Sequence, residues 1–70
     1  MDLYRQALEM VDRHIAAGER HIEEQRNRIL ELTRRGEDTS FSHRLLANLI
    51  YSLAVHQVRR EVLLRRMAIS

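Results

Sequence analysis

The most constraining feature of this 70-residue chain is a spacing. Tyr4, Leu8, Val11, Ile15, Gly18, Ile22, Gln25, Ile29 and Leu32 follow one another in alternating steps of four and three. Seven of these nine positions are apolar. A mean period of 3.5 residues keeps one line of side chains against a neighbouring helix and winds the pair into a left-handed supercoil. A half-buried strand needs a period of two, which is absent. The doubled Arg13-His14-Ile15 and Arg20-His21-Ile22 belong to the same sevenfold repeat. Residues of about 2–35 are therefore predicted to form one long helix.

The stop signal follows in Arg34-Arg35-Gly36-Glu37-Asp38-Thr39-Ser40. Arginines in the last turn suit the negative end of the helix dipole. Gly36 takes the place after the helix where a left-handed backbone is needed. Asp38, Thr39 or Ser40 can cap the next helix with a side-chain oxygen. A turn of about 36–39 is short enough to fold a second helix, of about 40–67, back antiparallel. Both helices lie in a single domain spanning 1–70.

The second helix carries two apolar stripes at 100° per residue. One holds Leu45, Leu46, Leu49, Ile50, Leu53, Leu63, Leu64 and Met67. The other holds Tyr51, Val55, Val58, Val62 and Ile69. A lone hairpin gives each helix one neighbour and one buried stripe. Two stripes predict a second contact, most simply another copy of the chain. The expected fold is all-α: a coiled-coil-like antiparallel hairpin that dimerises into a four-helix bundle. The expected helix packing uses Leu8, Val11, Ile15, Gly18, Ile22, Ile29 and Leu32 against Leu46, Leu49 and Leu53. The expected interface uses Tyr51, Val55, Val58, Val62 and Ile69. Which stripe faces the first helix is left open by the pattern. A turn centred near residues 37 and 38 sets Leu46 level with Ile29, Leu53 with Ile22, Gln57 with Gly18, and Arg60 with Ile15.

Two seam residues are unusual. Gly18 weakens a helix interior by about 1 kcal/mol relative to alanine. It is either tolerated or it admits a bulky neighbour such as His56, Gln57 or Arg60. Gln25 either fixes register as a polar seam residue or reaches to water from the seam's edge, and the edge reading is the simpler one.

Chemistry is sparse. With no cysteine, disulfides and thiolate metal sites are excluded. His14 and His21 share a face but sit about 10 Å apart along the axis, too far to share a metal. His56 could approach His21 across the hairpin, yet no carboxylate spacing completes a site. The residues three before the four histidines are Val11, Gly18, Ser40 and Leu53, so the Glu-x-x-His motif of carboxylate-bridged di-iron bundles is absent. Ser52 and His56 are one turn apart, without an orienting group or an oxyanion hole. Two glycines eighteen residues apart make no phosphate loop. The expectation is a protein that is not an enzyme, with no metal and no cofactor.

All twelve basic residues are arginine, and the net charge is +2. A GC-rich genome is the simpler account of this usage, ahead of selection for guanidinium forks. Residues 1–38 hold nine acids and seven arginines, whereas 39–70 hold five arginines and only Glu61. Arg59, Arg60, Arg65 and Arg66 form the most basic stretch. They could grip nucleic acid, or pair with Glu9, Asp12 and Glu19 of the first helix. Tyr4, Phe41 and Tyr51 are scattered and make no base-stacking platform. The apolar run at 45–55 would span about 17 Å as a helix, against a bilayer core of about 30 Å. The opening stretch Met1–Met10 has no apolar signal core, so the expected location is cytoplasmic.

Gly18-Glu19-Arg20-His21-Ile22, with Gln25, then Gly36, Asp38 and Thr39, then Leu45, Leu46, Leu53 and His56, resembles a group of short bacterial proteins of unassigned function. They share a Gly-Glu-Arg-x-Ile-x-x-Gln core, a Gly-x-Asp-Thr turn and a leucine-rich second helix with a histidine. The resemblance covers roughly residues 12–64 and implies a helical hairpin with no known activity. Members often carry an acidic residue early in the second helix, where this chain has Phe41 and Ser42. The function expected from all of this is a small non-catalytic interaction or regulatory module that associates with itself or with a protein partner. The alternative is a nucleic-acid-binding hairpin dimer using the arginine-rich end.

Overall fold

The computed structural model describes residues 2–69, the side chain of Asp2 excepted. Two helices, α1 (Asp2–Arg34) and α2 (Ser40–Ile69), pack against each other along their length. They are antiparallel, since Gln25 meets Ser42 near the turn while Asp12 meets Arg60 towards the open end. The Cα framework measures 54 × 14 × 12 Å.

The turn is built from hydrogen bonds that the sequence encodes locally. The Gly36 N–H donates to the Thr33 carbonyl and the Glu37 N–H donates to the Leu32 carbonyl, at 3.0 and 2.9 Å. These two bonds satisfy carbonyls left open by the end of α1, the pattern of a Schellman motif. The motif requires a left-handed residue, and Gly36 has φ 74°. Arg34 and Arg35 both reach Glu31, at 2.9 and 3.3 Å. Asp38 then starts α2. Its carboxylate accepts from the Ser40 N–H at 2.9 Å and the Ser40 O–H at 2.8 Å. The first helical bond runs from the His43 N–H to the Thr39 carbonyl. Of the three residues that could cap α2, Asp38 supplies the side-chain oxygen. No acid stands in the first turn of α2, so this carboxylate also supplies the negative charge favoured there.

On α1 the buried line is Val11, Ile22, Gln25 and Ile29, with Leu8, Ile15, Gly18 and Leu32 half-buried between them. On α2 the line facing α1 is Ser42, Leu46, Leu49, Leu53, His56, Arg60, Leu63 and Met67, again in steps of four and three. This settles which stripe faces α1, and it corrects the stripe's membership. Leu45, Ile50 and Leu64 turn out to be exposed flanks, while Ser42, His56 and Arg60 take seam positions. Two supercoiled helices must keep one continuous 3.5-residue line in contact. That line includes whatever residues fall on it, polar or not.

The register is also corrected. Gly18 faces Leu53, whose Cδ1 lies 3.5 Å from where a Cβ on residue 18 would sit. The turn-centred count had paired Gly18 with Gln57, four residues further on. Residues 37–39 are not helical, and an extended residue advances about twice as far as a helical one. α2 therefore begins already displaced along α1 by about one helical turn.

Candidate interaction surface

A residue two positions after a seam residue points away from the partner helix, because two steps of 100° turn it to the far side. On α1 this rule selects Gln6, Met10, Arg13, Ala17, Arg20, Glu24, Asn27, Glu31 and Arg34, exposed except for the half-buried Ala17 and Glu31. Seven of the nine are polar, and the two apolar members, Met10 and Ala17, are not followed by further apolar residues on the line. On α2 the same rule selects Arg44, Asn48, Tyr51, Val55, Val58, Val62, Arg65 and Ile69, all exposed. Four consecutive members of this second line, Tyr51 to Val62, are apolar.

This outward stripe is continuous. Tyr51 is 73% exposed and Val58 65%, while Val55 at 46% and Val62 at 37% lie closer to the flank of the hairpin. With Ala54 and Val55 they line one shallow depression of about 300 Å³. Ile69 lies at the far end of the line, 86% exposed, and Phe41 at the near end, 69% exposed. Single exposed apolar residues are ordinary, but a contiguous patch marks an interaction site. The inner core is thin by comparison. Val11, Ile22 and Ile29 are the buried apolar side chains among the described residues, and none is completely sealed.

The polar side chains are distributed between the helices. The Gln25 amide, 8% exposed, donates from Nε2 to the Ser42 carbonyl at 2.9 Å. Gln25 is thus a buried cross-link and not an edge residue reaching for water. Its neighbour Ser42 carries a main-chain acceptor at a point where the two backbones come close. The His56 ring meets His14 with centroids 5.0 Å apart and planes tilted by 45°. The spacing argument had looked to His21 as the partner, and the shifted register brings His14 instead. His21 and Ser52 line the same depression as the His14–His56 pair. No cluster of three or more metal-ligating side chains is found among the described residues.

The four arginines of the basic stretch do not share a face. Successive residues diverge by 100°, so Arg59 and Arg60 separate, as do Arg65 and Arg66. Arg60 turns inward and its Nε donates to Asp12 at 2.6 Å. Arg65 turns outward and reaches Glu61 at 3.5 Å. Arg59 and Arg66 flank an open groove of about 440 Å³ that also touches Met10, Val11, His14 and Val62. Of the acids named as possible partners, Asp12 is the one paired with this stretch at salt-bridge distance.

Among the described residues no helix is long and apolar enough to cross a membrane. Every buried side-chain nitrogen or oxygen among them has a hydrogen-bond partner. The carboxyl of Asp38 is held below its ordinary value, first by the Ser40 N–H and then by the Ser40 O–H, both of which donate to the ionised form. No family model, no curated protein and no solved structure matches the chain.

Proposed function

We propose that this protein is a small, non-catalytic interaction or regulatory module in the cytoplasm, acting through its helical surfaces. Its first partner is a second copy of itself, and two hairpins close into a four-helix bundle. The likeness to short bacterial hairpin proteins belongs to the same reading. The observation that carries it is the outward line Tyr51–Val55–Val58–Val62, apolar and exposed on a helix whose other side already packs on α1. A helix apolar on two sides belongs inside a bundle. The polyanion alternative draws less support, because Arg60 and Arg65 are engaged by Asp12 and Glu61.

Sedimentation equilibrium across micromolar concentrations tests the reading. The chain should weigh twice its 8.4 kDa, and Val58→Glu should halve that mass while leaving the helical circular dichroism in place. A folded monomer at every concentration refutes self-association.

A further inference from the structure

We infer that the second copy docks antiparallel, α2 against α2, about a twofold axis passing between Val55 and Val58. The inference rests on the self-association proposed above and adds its direction and register.

The first support is a symmetry in the sequence of the exposed line. Its members at 44, 48, 51, 55, 58, 62, 65 and 69 are spaced 4-3-4-3-4-3-4, which reads the same in both directions. Reversal about the midpoint sets Tyr51 on Val62 of the partner subunit, and Val55 on Val58 of the partner subunit. Asn48 then falls on Arg65 of the partner subunit, a neutral amide beside a cation, and Arg44 falls on Ile69 of the partner subunit at the outer ends, where the guanidinium can reach water. An isologous interface requires this kind of self-complementarity.

The second support is charge. A parallel pair sets every residue on its own copy, so Arg44 would face Arg44 and Arg65 would face Arg65. Like charges in register are unfavourable. Sliding the antiparallel pair by one heptad fares no better. In one direction Val55 meets Arg65, and in the other Val62 meets Arg44. The register centred between Val55 and Val58 alone keeps the four central apolar residues on one another.

The third support is area. The hairpin exposes 5686 Å². A compact monomer of 8.4 kDa exposes about 4,600 Å². The surplus, about 1,100 Å², is of the size one partner buries in a standard interface, about 800 Å². The equivalent line on α1 is polar apart from Met10 and Ala17, which leaves α2, with four successive apolar residues on its line, as the face able to bury it.

The chain has no cysteine, so introduced thiols report the geometry cleanly. Within one chain, positions 51 and 62 are about 16 Å apart along the helix, beyond disulfide reach. The double variant Tyr51→Cys/Val62→Cys, mildly oxidised, should run mostly as a covalent dimer on a non-reducing gel, while each single variant stays uncrosslinked. Self-linking of Tyr51→Cys alone would establish a parallel pair and overturn the inference. A dimer by sedimentation without a 51–62 cross-link overturns the inference and leaves self-association standing. A monomer overturns both. Should the double variant fail to fold, Asn48→Cys/Arg65→Cys, about 26 Å apart within one chain, gives the same reading from the polar flanks.

Discussion

The side-chain amide of Gln25 lies 2.9 Å from the main-chain carbonyl of Ser42, and this buried bond ties the last third of one helix to the beginning of the other. Its acceptor belongs to the backbone, so no substitution at Ser42 removes it directly. Gln25→Ala should cost about 1–2 kcal/mol, combining a lost hydrogen bond with lost packing. Gln25→Leu should cost less, because an apolar side chain suits the seam, but it should broaden the thermal transition by freeing the register. Urea and thermal denaturation of the two variants provide the comparison. Equal losses for alanine and leucine would show that the bond contributes nothing beyond filled volume.

Gly18 gives a prediction with two signs. A Cβ there would sit 3.5 Å from Leu53 Cδ1 and 3.9 Å from Leu53 Cβ, both ordinary van der Waals distances. Gly18→Ala should therefore stabilise the hairpin by about 0.5–1 kcal/mol through helix propensity. Gly18→Leu carries its branch beyond that Cβ into the contact with Leu53 and should destabilise, although leucine is a better helix former than glycine. The urea midpoints of the two variants should fall on opposite sides of the parent's.

The Asp38 cap predicts a pH dependence. The Ser40 donors favour the ionised carboxylate, so the folded-state pKa lies below the ordinary 3.8. A group depressed in this way contributes stability above its unfolded value and loses it as pH falls through the folded value. The advantage of the parent over Asp38→Asn should be constant above about pH 5 and shrink below pH 3.8. Thermal melts of both proteins from pH 6 to pH 2 measure the gap, and parallel curves would remove Asp38 from the capping role.

Arg60 and Asp12 form a close pair, at 2.6 Å, with both side chains nearly half exposed. Solvent and salt screen such a pair, so a double-mutant cycle of Arg60→Ala and Asp12→Ala should return about 0.2–1 kcal/mol. The coupling should fall further in 0.5 M salt. A coupling above about 2 kcal/mol would mean that the pair is desolvated, as a second hairpin covering it would bring about.

Much of this fold was legible in the chain because the relevant signals are local. The 4-3 line on α1 alternates cleanly with charge, and Gly36 sits where a left-handed residue must. The seam of α2 was legible only at Leu46, Leu49 and Leu53, because apolar residues surround that helix and pattern alone cannot select a face. Its polar members, Ser42, His56 and Arg60, are invisible to a search for hydrophobic residues. They were available to a search that simply continued the 4-3 step from Leu46, Leu49 and Leu53. Register was missed for a different reason. It depends on how far the three non-helical residues 37–39 travel, a length that no periodicity records. His14 and His56 are neighbours only because of that displacement.

The Schellman turn has a consequence for how the hairpin comes apart. At that end the chain is joined covalently, locked by Gly36, capped by Asp38 and cross-linked through Gln25. At the other end the helices are held by Met67, Leu63 and a screened ion pair, and loop-closure entropy is at its greatest. Amide exchange should accordingly run on a gradient, slowest around Ile29 and Leu46 and fastest towards both termini. On such a gradient the molecule would act as a clip sprung at one end, its jaws opening many times for each occasion on which the hinge gives way.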